Sequence, residues 1–195
     1  LNQVYKPLIE MAKIFLKGST IKLQKSHIET FTFLIPMEEL FEKFITNLIE
    51  TREVLPDSLK EAKVKKQSKI GCLARWDENK KQVFELIPDI VIEHKNKKFI
   101  VDLKYKLLDE QDKKLGISQS DMYQMYAYAT KTNANGVLLI YPHLEKKIES
   151  NFIFEAPKTN DKEIPLYIRT IDLGKNLLDN NEWKQFKNEL KNLLK

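Results

Sequence analysis

The stretch LIPDIVIEHKNKKFIVDLKYK, residues 86–106, constrains the fold more than any other part of the chain. It holds two runs rich in Ile, Val and Phe, separated by the short basic segment KNKK at 95–98. Such runs read as strands over about 82–93 and 97–105, and so short a connection pairs them antiparallel. Both runs are apolar at consecutive positions, so the sheet is expected to be covered on both faces. A helix is expected to open at Ser118, with Asp121 three residues on as a capping-box acid, and to run to about 131. The segment NANG ends it, and VLLIYP at 137–142 reads as a buried strand. A helix between two strands of one sheet makes a crossover, so parallel pairing is expected beside the antiparallel pair. The fold class that follows is α/β (α+β), a mixed central sheet flanked by helices.

The flanking segments supply those helices. Val4, Leu8, Met11, Ile14 and Phe15 predict a helix over 3–17, closed by a turn at Gly18. After Pro36, the residues Met37, Leu40, Phe41, Phe44, Ile45, Leu48 and Ile49 fill one broad helical face. Residues 56–69 are polar and basic and read as a loop or short helix. Further strands are expected near 70–75, 151–155 and 166–172, with a last helix from about 181. A chain of 195 residues without repeats or a low-complexity linker is expected to be one domain, 1–195. Within it, 1–33 would be a helical lead-in and 34–142 the core. The first residues lack an initiator Met and the basic-then-apolar order of a signal peptide, so the chain is read as the C-terminal part of a longer, cytoplasmic protein.

Composition excludes several functional classes. One cysteine, Cys72, cannot support a disulfide framework or a Cys-rich zinc site. No run of about 18 uncharged apolar residues is present to span a membrane. His27, His94 and His143 are too dispersed in sequence for a histidine metal site. Trp76 and Trp183 read as packing or interface residues. The net charge of +5 favours an anionic partner such as nucleic acid. Only Arg52, Arg75 and Arg169 are arginine, and lysine suits backbone phosphates better than base edges. Lys95, Lys97 and Lys98, with Lys63, Lys65 and Lys66, are the candidates for that contact.

Against this background, Asp89, Asp102 and Lys104 are out of place in apolar strands. Side chains alternate along a strand, so Asp102 and Lys104 share a face. Asp89 enters from the partner strand and can converge on Asp102. Two carboxylates about 4 Å apart repel by about 4 kcal/mol at an effective dielectric near 20. A divalent cation relieves that repulsion, and oxygen ligands of this kind suit Mg²⁺ or Mn²⁺. Such an ion activates water and stabilises a phosphate transition state, with Lys104 beside it to neutralise charge. Taken alone, the same residues also fit a turn-ending Asp89 and a surface ion pair. In the helix SQSDMYQMYAYA, Asp121, Gln124 and Tyr128 form a polar stripe apart from the core stripe Met122, Met125, Tyr126 and Ala129. Glu42 borders the apolar face of its helix and can point toward the sheet.

Taken together, PD at 88–89, VDLKYK at 101–106 and Gln124 and Tyr128 in DMYQMYAYA resemble the PD-(D/E)xK nuclease signature, in its RecB-like branch. With PMEELFEKFI added, the order of motifs over about 34–142 is similar to McrC, the nuclease subunit of McrBC-type restriction systems. A weaker likeness precedes it in residues 1–18. The resemblance implies a restriction-endonuclease-like fold, Mg²⁺-dependent cleavage of double-stranded DNA, and a McrB-like AAA+ GTPase partner. It implies site roles for Glu42, Asp89, Asp102, Lys104, Gln124 and Tyr128, with the Leu103 carbonyl as a further metal ligand. Two alternatives stand beside it: a RecB-like exonuclease, and a non-catalytic DNA-binding or docking module. A Cas4-like enzyme is disfavoured, because one cysteine cannot hold an iron–sulfur cluster.

Overall fold

The structure is a computed structural model, and it describes residues 35–155 and 163–195, with the backbone of Thr20–Leu23 and Thr30–Phe33. The chain divides into two compact units, residues 1–40 and 41–195. The first unit ends within the helix that starts at Met37. In the first unit, β1 (Thr20–Leu23) and β2 (Thr30–Phe33) pair antiparallel, Thr20 opposite Phe33. Strands thus stand where the helical lead-in is expected to continue. The helix expected over 3–17, the N-terminal likeness and His27 lie outside the described residues.

The second unit is built on a six-stranded sheet. Its strands are β3 (Lys63–Lys66), β6 (Ile90–His94), β7 (Lys97–Leu103), β8 (Gly136–His143), β9 (Glu149–Phe154) and β10 (Ile164–Asp172), in the order β3-β6-β7-β8-β10-β9. The hairpin β6–β7 is antiparallel, and β7, β8 and β10 run parallel, so the sheet is mixed. The hairpin turn is Lys95 and Asn96, both at positive φ, the mirror-image turn that matches strand twist. The crossover from β7 to β8 is α2 (Gln119–Thr132). Ser118 caps it by accepting from the Asp121 N–H, and Asn133 ends it in the left-handed conformation.

Both sheet faces are covered. On one, Ile90, Ile92, Val101, Leu103, Leu138 and Ile140 pack with Phe41, Ile45 and Ile49 of α1 (Met37–Glu50), and with Phe186, Leu190 and Leu193 of α3 (Asn180–Leu193). Trp183 serves this layer, stacking on Phe186 at 6.0 Å. Full burial of Phe186 contributes about 1.5–3 kcal/mol. On the other face, Val91, Ile100, Val137, Leu139 and Tyr141 pack with Met125, Tyr128 and Ala129 of α2.

Two expectations need correction. The single strand over 82–93 is two strands, β5 (Gln82–Leu86) and β6, broken at Ile87, Pro88 and Asp89. Proline has no N–H to give to a ladder, and β5 instead pairs with β4 (Gly71–Arg75) in a separate two-stranded sheet. The polar segment 56–69 is not only loop and short helix. After a turn at Asp57–Leu59 it supplies β3, antiparallel to β6. Its lysines hide the strand pattern, as is common on exposed sheet edges. Among the described residues no helix is long and apolar enough to cross a membrane.

Candidate active site

The break at Pro88 sets Asp89 just ahead of β6. Ile90 pairs with Val101, so the same register continued puts Asp89 across from Asp102. Val91 and Ile100 belong to the face under α2, and by alternation Asp89 and Asp102 do too. Asp89 is held from two sides. Its Oδ2 accepts from the Leu103 N–H at 2.7 Å, and its carbonyl accepts from the Gln67 N–H at 2.8 Å. Gln67 Nε2 in turn donates to Glu42 Oε1 at 2.6 Å. Glu42 of α1 is thereby tied to the Asp89 segment through Gln67.

Asp102 is only 1% exposed, which rules out a surface ion pair. Lys104 Nζ lies 2.8 Å from its Oδ2, and no other donor reaches this buried oxygen. Lys104 also donates to Gln124 Oε1 at 3.0 Å. Gln124 Nε2 donates to the Tyr128 hydroxyl at 2.9 Å, and that hydroxyl donates to the Ile87 carbonyl at 3.1 Å. The polar stripe of α2 is therefore a brace. It joins the Lys104 ammonium to the chain segment that aims Asp89. Asp121, at the head of the same stripe, takes Lys106 Nζ at 2.8 Å.

Charge is crowded here. Burial, then Asp102, pushes the Asp89 carboxyl up to about 7, against the pull of the Leu103 N–H and Lys104. Burial also raises Asp102, with Lys104 opposing. Burial works against the Lys104 ammonium, but Asp102, Asp89 and Asp121 outweigh it and hold its pKa above the usual lysine value. Folded without a cation, the pair of acids is under-neutralised.

Such a pair suits a divalent ion. Asp89 and Asp102 are hard oxygen donors across one register, and the buried Asp102 Oδ2 has Lys104 as its sole donor. Among the described residues, no group of three or more His, Cys, Asp or Glu side chains gathers as a metal site. The candidate set is two carboxylates and the Leu103 carbonyl, which follows Asp102 on β7. Water completes such a set for Mg²⁺, which keeps several of its waters.

The lysines expected at DNA lie along β3 and the β6–β7 hairpin. Lys63 and Lys65 of β3 and Lys98 of β7 surround Glu93, with Lys63 opposite Glu93 in register. Lys65 and Lys98 lie 2.8 and 3.7 Å from its carboxylate. Lys95 and Lys97 flank the nearby turn. Lys98 is four residues before Asp102, about 13 Å at ~3.3 Å per residue. Lys66 faces the other way and pairs with Glu50 at 2.6 Å. Three residues at the site were not singled out from sequence. Lys106 repeats the spacing of Lys104 and Tyr141 sits on the buried strand at the right parity, so both carried a weak signal. Gln67, in a polar loop, carried none.

A family model described as "McrBC 5-methylcytosine restriction system component" matches residues 1–142. Among solved structures, the chain is similar to one from the refined half-complex of a tetradecameric assembly of Thermococcus gammatolerans McrB AAA+ hexamers with bound McrC. The TM-score is 0.58 at 18% identity, over 98% of this chain and 39% of that one. The two share a fold, and this chain spans well under half the length of its neighbour. No curated protein matches.

Proposed function

The chain belongs to the McrBC 5-methylcytosine restriction system component family, and on that premise we propose that it is the system's Mg²⁺-dependent DNA endonuclease domain. It hydrolyses phosphodiester bonds of double-stranded DNA in the cytoplasm, when activated by a McrB-like AAA+ GTPase. The observation that carries this reading is the buried Asp102, across the β6–β7 register from Asp89, with Lys104 Nζ 2.8 Å away.

Asp89, Asp102 and the Leu103 carbonyl would hold the ion. When bound, Mg²⁺ lowers the pKa of its water and offsets charge on the phosphoryl oxygens. Lys104 is half-buried and turns from Asp102 to orient the nucleophile or steady a phosphate oxygen. Gln124 and Tyr128 fix the reach of that ammonium and the course of residues 87–89. Glu42, through Gln67, secures the same segment from the other side. The lysines around β3 and the β6–β7 turn meet the DNA backbone as point charges.

The test is cleavage of a supercoiled plasmid with Mg²⁺, with and without a McrB-like partner and GTP. Linearised plasmid with the partner, and none after chelation, is the expected result. Digestion of a linear duplex but not of the circle would favour the RecB-like exonuclease, and binding without cutting either would favour the docking module.

A further inference from the structure

Tyr141 is the largest group in this region without a role so far. It lies on β8, next to β7, and is fully buried, with a hydroxyl that has no hydrogen-bond partner. Leu139 is opposite Asp102 in the parallel register, so Tyr141 stands two residues on, on the same face, level with Lys104. Lys106 Nζ passes over its ring at 5.8 Å on the way to Asp121. The charged groups on the Tyr141 side of the sheet are thus Asp102 and Lys104 from β7 and its end, Lys106 from the loop beyond, and Asp121 from α2. Burial, then Asp121 and Asp102, raises the Tyr141 pKa.

An unpaired buried hydroxyl is costly, and phenylalanine would fill the same space without that cost. The hydroxyl cannot touch DNA from a fully buried position, so any role runs through a neighbour. Asp121 already takes Lys106 and lies at the capped start of α2. Asp102 Oδ2 is enclosed with the Lys104 ammonium, 2.8 Å away, as its sole donor. A spare donor, and an acceptor that depends on one ammonium, share one face of adjacent strands.

We propose that Tyr141 is a positioning residue for Asp102: its unused O–H secures the Asp102 carboxylate when a divalent cation or the substrate draws the Lys104 ammonium away. The inference rests on the nuclease reading, because it needs Asp102 as a metal ligand. It goes beyond that reading by giving the ligand its orienting partner, of the kind that typically changes metal affinity by about 10–100-fold.

The full chain, labelled with ¹³Cζ-tyrosine, is titrated with Mg²⁺. The Tyr141 signal is assigned by its absence from Tyr141→Phe or, independently, by through-bond correlation. The expected result is a shift of that signal that saturates with the Mg²⁺ affinity measured by calorimetry. Tyr141→Phe should bind Mg²⁺ about 10-fold or more weakly while unfolding in urea at the same or higher concentration. A stationary Tyr141 signal while Mg²⁺ binds, or equal Mg²⁺ affinity in the variant, overturns the role of Tyr141 and leaves the metal site standing. Absence of Mg²⁺ binding in wild type overturns the metal reading itself, and this inference with it.

Discussion

Replacing Asp89 by asparagine should stabilise the metal-free protein at neutral and higher pH. The asparagine side-chain oxygen can still accept from the Leu103 N–H, so the hydrogen bond at 2.7 Å survives and only the charge goes. In the folded protein the Asp89 carboxyl sits at about 7, against 3.8 when unperturbed. Below about pH 4 both folded and unfolded chains carry the proton, and the charge makes no difference. As pH rises from there to about 7, the unfolded chain releases its proton and the folded one keeps it, so wild-type stability falls. Above about 7 both are ionised and the deficit is constant. At about 1.36 kcal/mol per pH unit, the ceiling is about 4 kcal/mol, reduced by whatever proton sharing with Asp102 relieves. Urea unfolding of wild type and Asp89→Asn between about pH 4 and pH 8 reads this directly. The variant should gain on wild type across that window, and saturating Mg²⁺ should reverse the order by stabilising wild type alone. A stability difference that stays flat with pH would refute the crowding of charge from which the site was argued.

Other outcomes follow from the same geometry. Lys104→Ala should lower partner-activated cleavage by about 10²-fold or more, with the fold intact by circular dichroism. Tyr128→Phe removes the donor to the Ile87 carbonyl and the acceptor for Gln124, so it should cost about 1–2 kcal/mol in urea unfolding and weaken Mn²⁺ binding in calorimetry. Glu93→Gln frees Lys65 and Lys98, so DNA affinity should rise and its dependence on salt steepen, by about 0.9 in the log–log slope for each additional phosphate neutralised. An unchanged slope would place the DNA path elsewhere.

Much of the fold could be read from the sequence because the strands of the mixed sheet announce themselves. Residues 90–92 and 99–103, Asp102 apart, are apolar on both faces, which a doubly covered sheet explains. Ser118 and Asn133 mark the ends of the crossover helix in local chemistry that needs no tertiary context. The acids were legible for the opposite reason: Asp102 breaks a pattern that otherwise rewards burial. What stayed hidden depends on long-range contacts. Lys63–Lys66 pairs as a strand only because β6 offers an edge, and its own residues read as loop. Gln67 joins Glu42 to Asp89 across 25 residues of sequence on one side and through a backbone N–H on the other. The six lysines had the charge of a DNA patch, but Glu93 among them, and Glu50 beside Lys66, could be matched to partners only once the strands were paired.

Titration calorimetry with Mn²⁺ tests the central claim most directly, on wild type and on Asp102→Ala at about pH 8, where Asp89 is largely ionised. Wild type should bind Mn²⁺ with a defined stoichiometry and compete with Mg²⁺, and Asp102→Ala should lose that binding while remaining folded. Equal Mn²⁺ binding by the two proteins would contradict the assignment of Asp89 and Asp102 as the metal site.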